Sequence, residues 1–245
     1  MTPLRGRFLL EAWDRASAAG DRGRAAAVLS VARPGSTPAE WDAVGIPELN
    51  LELARLWHLS FGATLNGCLP CPQCGARLEF GMSVQEVIRE LEAQSAEPTL
   101  GWTLGDDTFS MRMANSLDLA AASSEADLVK ARRVLLERCI EVNGNPATDA
   151  GASAALRESE FLAETNFERL HRAAEVTCQV HCFDCGHYEA VDLDLPRFLW
   201  AKVRHGAGRL LHDVHELAST YGWSEDAILG MSEHRRAGYL EMVRS

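Results

Sequence analysis

The 245-residue sequence predicts an α+β protein, mostly helical, with a zinc ribbon split in two and a C-terminal helical module. Three observations predict it. Apolar residues recur at helical spacing through residues 1–64 and again through 196–245. Two Cys-x-x-Cys-Gly motifs stand far apart, Cys71-Pro72-Gln73-Cys74-Gly75 and Cys182-Phe183-Asp184-Cys185-Gly186. The residues beside those motifs alternate polar and apolar, as short strands do. The expected organisation is N-terminal helices over 1–64, a zinc ribbon over 65–195 interrupted by an acidic helical and hairpin insert, and the helical module over 196–245.

The elements follow in order. Phe8 to Ala19 and Arg22 to Ala32 are predicted helices separated at Gly20. Pro34-Gly35-Ser36-Thr37-Pro38 is a loop. A helix over Pro47 to Phe61 carries Leu49, Leu53, Leu56 and Trp57 on one side, and Gly62 stops it. Arg77 to Met82, Glu175 to Val180 and Tyr188 to Leu195 are the ribbon strands. Within the insert, Ser83-Val84-Gln85-Glu86 has the form of a capping box. Val84, Val87, Ile88 and Leu91 mark the buried face of the helix it opens. Thr99–Leu104 and Thr108–Met113 flank Gly105-Asp106-Asp107, a hairpin signal. Ser124 opens a longer helix to about Glu141, striped by Leu128, Leu135, Leu136 and Ile140 and ended by Asn143-Gly144-Asn145-Pro146. Residues 143–154 form a surface loop, and Leu156 to Ala173 is helical again. In the C-terminal module Pro196 suits the first turn of a helix. Leu210, Leu211, Val214, Leu217, Ala218 and Tyr221 continue that helix, Gly222-Trp223 breaks it, and Ser224 and Ser232 cap two more.

Six of the seven cysteines fall in two clusters, Cys68, Cys71 and Cys74, then Cys178, Cys182 and Cys185. Cys139 stands alone in a helical pattern, as a small buried hydrophobe does. No secretory signal precedes them, since the apolar run Phe8-Leu9-Leu10 is too short and is followed by Glu11 and Asp14. Metal is therefore favoured over disulfides. In Cys-x-x-Cys-Gly the glycine is free to take the positive φ that lets the backbone turn under a metal. Two such knuckles supply Cys71, Cys74, Cys182 and Cys185, four thiolates suited to tetrahedral Zn²⁺. Cys68 and Cys178 stand as alternative ligands, because Cys68-x-x-Cys71 has the same spacing. His181 and His187 are expected at the surface. A four-thiolate zinc keeps no open position, so it is structural and not catalytic. The two knuckles must then meet in space, with the residues between them leaving and re-entering the ribbon.

The charge balance narrows the partners. The chain carries a formal net charge of −11. Residues 1–70 hold 7 basic and 7 acidic side chains, residues 197–245 hold 7 and 6, and residues 71–196 hold 10 and 22, which places all the excess in the middle. Acidity repels phosphate, so nucleic acid is a poor partner, whereas a basic protein face would be attracted. No apolar run approaches the ~20 residues that span a bilayer. The expectation is a soluble cytoplasmic protein with no membrane partner and no small-molecule substrate.

A resemblance emerges from longer stretches. It begins with Pro47-Glu48-Leu49-Asn50 through Phe61-Gly62, the first knuckle and Leu78-Glu79-Phe80. It continues with the second knuckle, Phe198-Leu199-Trp200 and the run from Leu210 to Ala218 containing His212-Asp213-Val214-His215-Glu216. Tyr221-Gly222-Trp223-Ser224-Glu225, Ile228-Leu229, Arg235-Arg236 and Tyr239-Leu240 complete it. Together these resemble the baseplate hub assembly chaperone family of T4-like contractile phages, which also occurs in phage-derived contractile injection systems. The resemblance runs from about residue 46 to 243, leaving residues 1–45 without a counterpart. It implies a non-enzymatic role in building the baseplate at its hub or spike end, inside the bacterial host cell, with hub, spike or other tail proteins as partners. Cys68 and Cys178 are additions to the paired-knuckle pattern.

Two other readings compete. A nucleic-acid-binding zinc ribbon would use the helix–Gly222-Trp223–helix run as an imitation of a helix-turn-helix, though its near-neutral charge suits that poorly. A metal hydrolase would use His212-x-x-His215-Glu216, which places both imidazoles near one helix face but lacks the His-Glu-x-x-His order and a third ligand. For a protein-binding role, Trp200, Trp223 and Tyr239 are candidate apolar anchors; Trp223, after a helix-ending glycine, is expected in the local core, and Trp200, beside Leu199 and before Lys202, is the better surface candidate.

Overall fold

A computed structural model describes residues 1–94, 99–172 and 176–244. The N-terminal helix α1 (Arg7–Ala32) is one element with a kink at Gly20, whose φ of 70° and ψ of 180° are outside helical values. The break expected there is thus a bend between two packed halves. Helix α2 (Pro38–Asp42) occupies the end of the expected loop. Its capping box pairs Thr37 with Glu40, and Pro38 stands in its first turn. Helix α3 (Ile46–Phe61) buries Leu49, Leu53, Leu56 and Trp57 as its periodicity predicts. With helix α4 (Val84–Gln94) and the first half of the 27-residue helix α9 (Leu195–Tyr221), these helices enclose the largest apolar core. That core takes residues from early, middle and late chain, Leu29, Leu56, Leu65, Leu91, Val176 and Leu199 among them.

Two antiparallel hairpins stand on this helical body. The first pairs β1 (Thr64–Pro70) with β2 (Arg77–Ser83), and the second pairs β7 (Thr177–His181) with β8 (Tyr188–Asp192). Each Cys-x-x-Cys-Gly motif is the connection at the tip of its hairpin. Strand β1 was not expected, because Gly67 and Pro70 weaken its pattern. Gly67 has a packing reason. It faces Phe80 across the hairpin, and a Cβ there would overlap the Phe80 ring and lie 2.8 Å from the Phe198 ring. Phe80 and Phe198 meet edge to face at 6.0 Å, which seats the first hairpin on α9. Glu175, at the start of the expected second-hairpin strand, lies outside the described residues, as does Ala173 at the end of the preceding helix.

The chain between the hairpins forms its own layer. The expected hairpin is present as β3 (Thr99–Leu104) and β4 (Asp107–Arg112), turning at Gly105 with a φ of 60°. β5 (Ile140–Val142) and β6 (Asn145–Pro146) extend it to a four-stranded sheet. Four helices accompany the sheet: α5 (Ser116–Ala122), α6 (Leu128–Cys139), α7 (Ala150–Glu158) and α8 (Glu160–Arg172). The structure corrects four points of this parse. The helix expected from Ser124 begins at Leu128, because Asp127 supplies the cap to Val129. It also ends at Cys139, because Ile140 to Val142 pair with β4. Residues 143–154 are not all loop, since β6 and the first turns of α7 lie there. The helix expected over 156–173 is two helices joined at Ser159.

Buried Asp118 ties this layer together. Its carboxylate accepts from Arg112 Nη1 at 2.6 Å and Nη2 at 3.2 Å, and from Arg138 Nε at 2.9 Å, joining β4, α5 and α6. Burial works against its ionised form, but the Arg112 hydrogen bonds lead the effects that outweigh it and hold its pKa below the ordinary value.

The chain finishes as expected. α9 ends at Gly222 in the left-handed conformation, Ser224 caps α10 (Glu225–Leu229), and Ser232 bonds the amide of Arg235 at the start of α11 (Glu233–Arg244). Val214, Leu217, Ile228 and Leu240 form a small separate core here. Trp223 stacks on Tyr221 at 4.5 Å and meets Tyr239 edge to face at 4.8 Å. Trp200 is half-buried against the main core with the Arg24 guanidinium 4.7 Å over its ring, and Trp223 and Tyr239 are half-buried too, so Trp200 is no freer at the surface than they are. No helix among the described residues is long and apolar enough to cross a membrane.

Candidate metal centre

The two hairpin tips are built alike. In the first, the Cys71 amide donates to Ala76 O at 2.7 Å, and the Gly75 amide donates to Cys71 O at 2.8 Å. In the second, the Cys182 amide donates to His187 O at 2.8 Å, and the Gly186 amide donates to Cys182 O at 2.9 Å. Gly75 and Gly186 have φ of 76° and 74°, values that a side chain would strain. The glycine of each motif therefore closes a turn that aims both of its thiols to one side.

The tips face each other. The sulfurs of Cys71, Cys74, Cys182 and Cys185 all lie within 4.8 Å of one another. Cys71 Sγ is 3.7 Å from Cys185 Sγ, and Cys74 Sγ is 3.6 Å from Cys182 Sγ. These separations are far beyond a disulfide bond of ~2.05 Å, and all four cysteines are free thiols. Four sulfurs each ~2.3 Å from a shared ion lie ~3.8 Å apart in a tetrahedron, so the set can hold a metal ion. Cys71 and Cys182 are buried while Cys74 and Cys185 are exposed, so each knuckle contributes one inner and one outer thiol.

The surroundings favour a cation. The Cys71 pKa is lowered to about 6, chiefly because the Cys74 amide hydrogen-bonds its sulfur. Cys185 is driven the other way, to about 12: the His187 amide favours its thiolate, but desolvation and the neighbouring Cys74, Cys182 and Cys71 outweigh it. Four crowded thiols cannot all ionise unaided. A bound divalent cation removes that conflict and releases protons as it binds.

Among the described residues this is the one group of three or more His, Cys, Asp or Glu side chains gathered at metal-binding distance. The Gly-flanked pairs are thus the ones brought together. Cys68 and Cys178 stay outside the set, Cys68 exposed on β1 and Cys178 half-buried on β7. His181 stacks on Tyr188 at 4.3 Å, and His187 pairs with Glu189 at 2.8 Å, so neither joins the thiols. Cys139 is buried in the insert, where desolvation pushes its thiol up to about 12. His212 and His215 are exposed on α9, and His212 lies 3.7 Å from Glu216. They form no such group with a third side chain among the described residues.

The sequence reading missed the support for this site. Strand β1, which carries Cys71 to the tip, was hidden by its glycine and proline. What makes Gly67 fit there, its pairing with Phe80, exists only in the folded hairpin and leaves no signal in the sequence. A core also forms directly beneath the thiols, where Leu78 and Val180 join Cys71 and Cys182 across the two hairpins. No family model, curated protein or solved structure matches this chain.

Proposed function

We propose that this chain is a non-enzymatic assembly or structural protein of a contractile-tail baseplate, acting at the hub or spike and stapled by one structural zinc ion. The observation that carries this reading is the meeting of two Cys-x-x-Cys-Gly hairpin tips from opposite ends of a 107-residue separation. Zinc is the metal of choice because four thiolates in a tetrahedral set are its usual structural environment. Cys71, Cys74, Cys182 and Cys185 would hold it as a split zinc ribbon. The ion would contribute folding energy and would do no chemistry, since four protein ligands leave no place for a substrate.

The motif resemblance supports the baseplate assignment. Its knuckles, Phe198-Leu199-Trp200 and the Tyr221-to-Leu240 stretch fall on elements that the fold uses together. Phe198 contacts the first hairpin, and Trp223 and Tyr239 organise the last three helices. In this reading the protein works in the bacterial cytoplasm, binds hub, spike or other tail proteins, and takes no nucleic acid, membrane or small molecule. The test is co-expression with each tail protein encoded beside its gene, followed by affinity capture and metal analysis. Retention of a hub or spike protein together with about one zinc per chain is the expected result. Retention of DNA and of no tail protein would replace this reading with a nucleic-acid-binding ribbon.

A further inference from the structure

Residues 113–115, between β4 and α5, tie the insert to the helical body. The Ala114 carbonyl accepts from the Ile46 amide at 2.9 Å, at the start of α3, and Asn115 bridges to Gly45 beside it. Ala114 is buried, so its own amide needs a partner within the protein. That partner is a side chain. The Ala114 amide donates to His171 Nε2 at 2.8 Å, on the last turn of α8. The other ring nitrogen, Nδ1, lies 2.9 Å from Phe167 O, one turn back on the same helix.

These two partners dictate where the ring carries its proton. A backbone amide only donates, so Nε2 must offer a lone pair. A carbonyl only accepts, so Nδ1 must hold the hydrogen. The neutral Nδ1–H form meets both demands. An imidazolium would set N–H against N–H at Ala114 and leave a buried amide unpaired. The surroundings also keep the ring neutral. It stacks on Phe167 at 3.7 Å, and burial is the main cause of a pKa below the ordinary imidazole value. The charged groups that act on it come from two other elements. Arg112 on β4 opposes a second proton, and Asp118 on α5 favours one. Arg112 and Arg138 both pair with Asp118, so the carboxylate's pull on the ring is offset.

We propose that His171 is a pH-operated latch between α8 and the junction at residues 113–115, closed while the ring is neutral and released when it is protonated. Release frees the last turn of α8, the helix that precedes the second hairpin along the chain, and takes away one of the bonds that pin the junction. A ring held neutral in the closed form takes up a proton less readily there than in an open form. The latch is therefore complete above the ordinary imidazole value of about 6.5 and weakens as pH falls below it. The Asp118 contribution is lost only further down, below the ordinary carboxylate value, so the two acid responses fall in separate windows. The latch goes beyond the baseplate reading and needs neither the metal nor a tail partner.

The test is hydrogen–deuterium exchange on the full-length protein at pH 7.5 and 5.5, corrected for the intrinsic pH dependence of exchange, beside the His171→Gln variant. Gln offers an oxygen to the Ala114 amide and cannot ionise. An open form with an ordinary imidazole gains at most about tenfold in population over one pH unit below 6.5. In the parent, protection of the Ala114 amide and the last turn of α8 should thus fall by about three- to tenfold more than in the variant. Metal chemistry is common to both proteins, so this difference belongs to the ring. Equal pH dependence in the two proteins would overturn the proposal. So would a parent-specific loss spread evenly through α3 and α9, which marks general acid loosening and no latch. If the variant fails to fold, ring nitrogen spectra of the parent decide. A histidine held as the Nδ1–H form and still neutral below about pH 6.5 supports the latch, and eight rings all titrating at the ordinary value sink it.

Discussion

The helical body and the paired hairpins keep their shape by different means. The body buries long aliphatic side chains from three helices and half of a fourth, with Leu29, Leu53, Leu56 and Leu199 almost wholly removed from water. The hairpins have two strands each, and beneath their tips only Cys71, Leu78, Val180 and Cys182 are fully buried. An isolated two-stranded hairpin is marginal in water. The body is held by area, at roughly 25 cal/mol per Å² of apolar surface. The hairpin tips have too little area for that and depend on whatever joins their four thiols. The two regions should therefore fail separately, under different insults.

The largest expected effect is at the thiols. Cys71→Ser and Cys182→Ser each remove a buried thiol of the cluster, and each should abolish metal retention in elemental analysis. Structural zinc sites bind with about 10–16 kcal/mol in small peptides, and most of that stabilisation of the tips would go. Far-ultraviolet circular dichroism should keep most of its helical signal, while amide exchange accelerates in β1, β2, β7 and β8. Acid should act in the same direction, because metal binding requires four deprotonated thiols and protons compete as pH falls. Global unfolding of the Cys182→Ser protein would show that the body needs the metal too, and the contrast would collapse.

The converse experiment is Leu56→Ala. It removes a fully buried side chain at the centre of the body and should cost about 2–5 kcal/mol, read from denaturant midpoints. Metal content should stay at the parent level. Loss of metal here would mean that the tips are aligned by the body rather than by their own turns. That coupling would run through the roots of the hairpins, where Leu65 and Val176 join the body's core, and through the contact of Phe80 with Phe198, so Phe198→Leu would then be expected to weaken metal retention as well.

The insert offers a third mode of failure. Asp118→Ala leaves Arg112 and Arg138 facing an empty buried position, at a cost of about 3 kcal/mol. This is the low end for a broken buried pair, because both guanidiniums remain partly solvated. The pH dependence has a definite sign. Asp118 has a folded pKa below its unfolded value, so its stabilisation is present above the ordinary carboxylate range and is lost as pH falls through the depressed value. The Asp118→Ala variant should lack this part of the acid sensitivity. Its metal should remain, since the thiols lie in the hairpins.

How much of this could be seen in the sequence divides along the same line. Long helices announce themselves by periodicity, and α3, α9 and the Gly20 break in α1 fall where the apolar spacing puts them. The four thiols were visible because a Cys-x-x-Cys-Gly turn is local chemistry, encoded within five residues. The strand leading into the first turn was not visible. Gly67 suits its place only because Phe80 and Phe198 fill the space above it, which is a fact of tertiary packing. In the insert, Ser124 was the expected helix cap, but Asp127 caps the helix and the pairing of β5 with β4 ends it. The ion-pair network itself joins residues 112, 118 and 138, which no spacing rule connects.

The smallest expected effect concerns the two cysteines that spacing left open as ligands. Strands alternate faces with a period of two. On β1, Leu65, Gly67 and Leu69 turn inward, which places Cys68 outward with Thr64 and Asn66. On β7, Cys178 shares the inward face with Val180, but it packs against the apolar patch beneath the tips. The turn made by Gly75 and its counterpart Gly186 aims only the residues within each knuckle at the shared centre. Cys68→Ser should therefore change stability by no more than about 0.5 kcal/mol, and Cys178→Ser by about 1 kcal/mol through lost apolar contact. Neither should alter the metal-to-protein ratio. The sharpest form of the test is Cys71→Ser made with and without Cys68→Ser. If Cys68 can stand in as a ligand, the single variant keeps its metal and only the double loses it; the geometry of β1 predicts that both lose it.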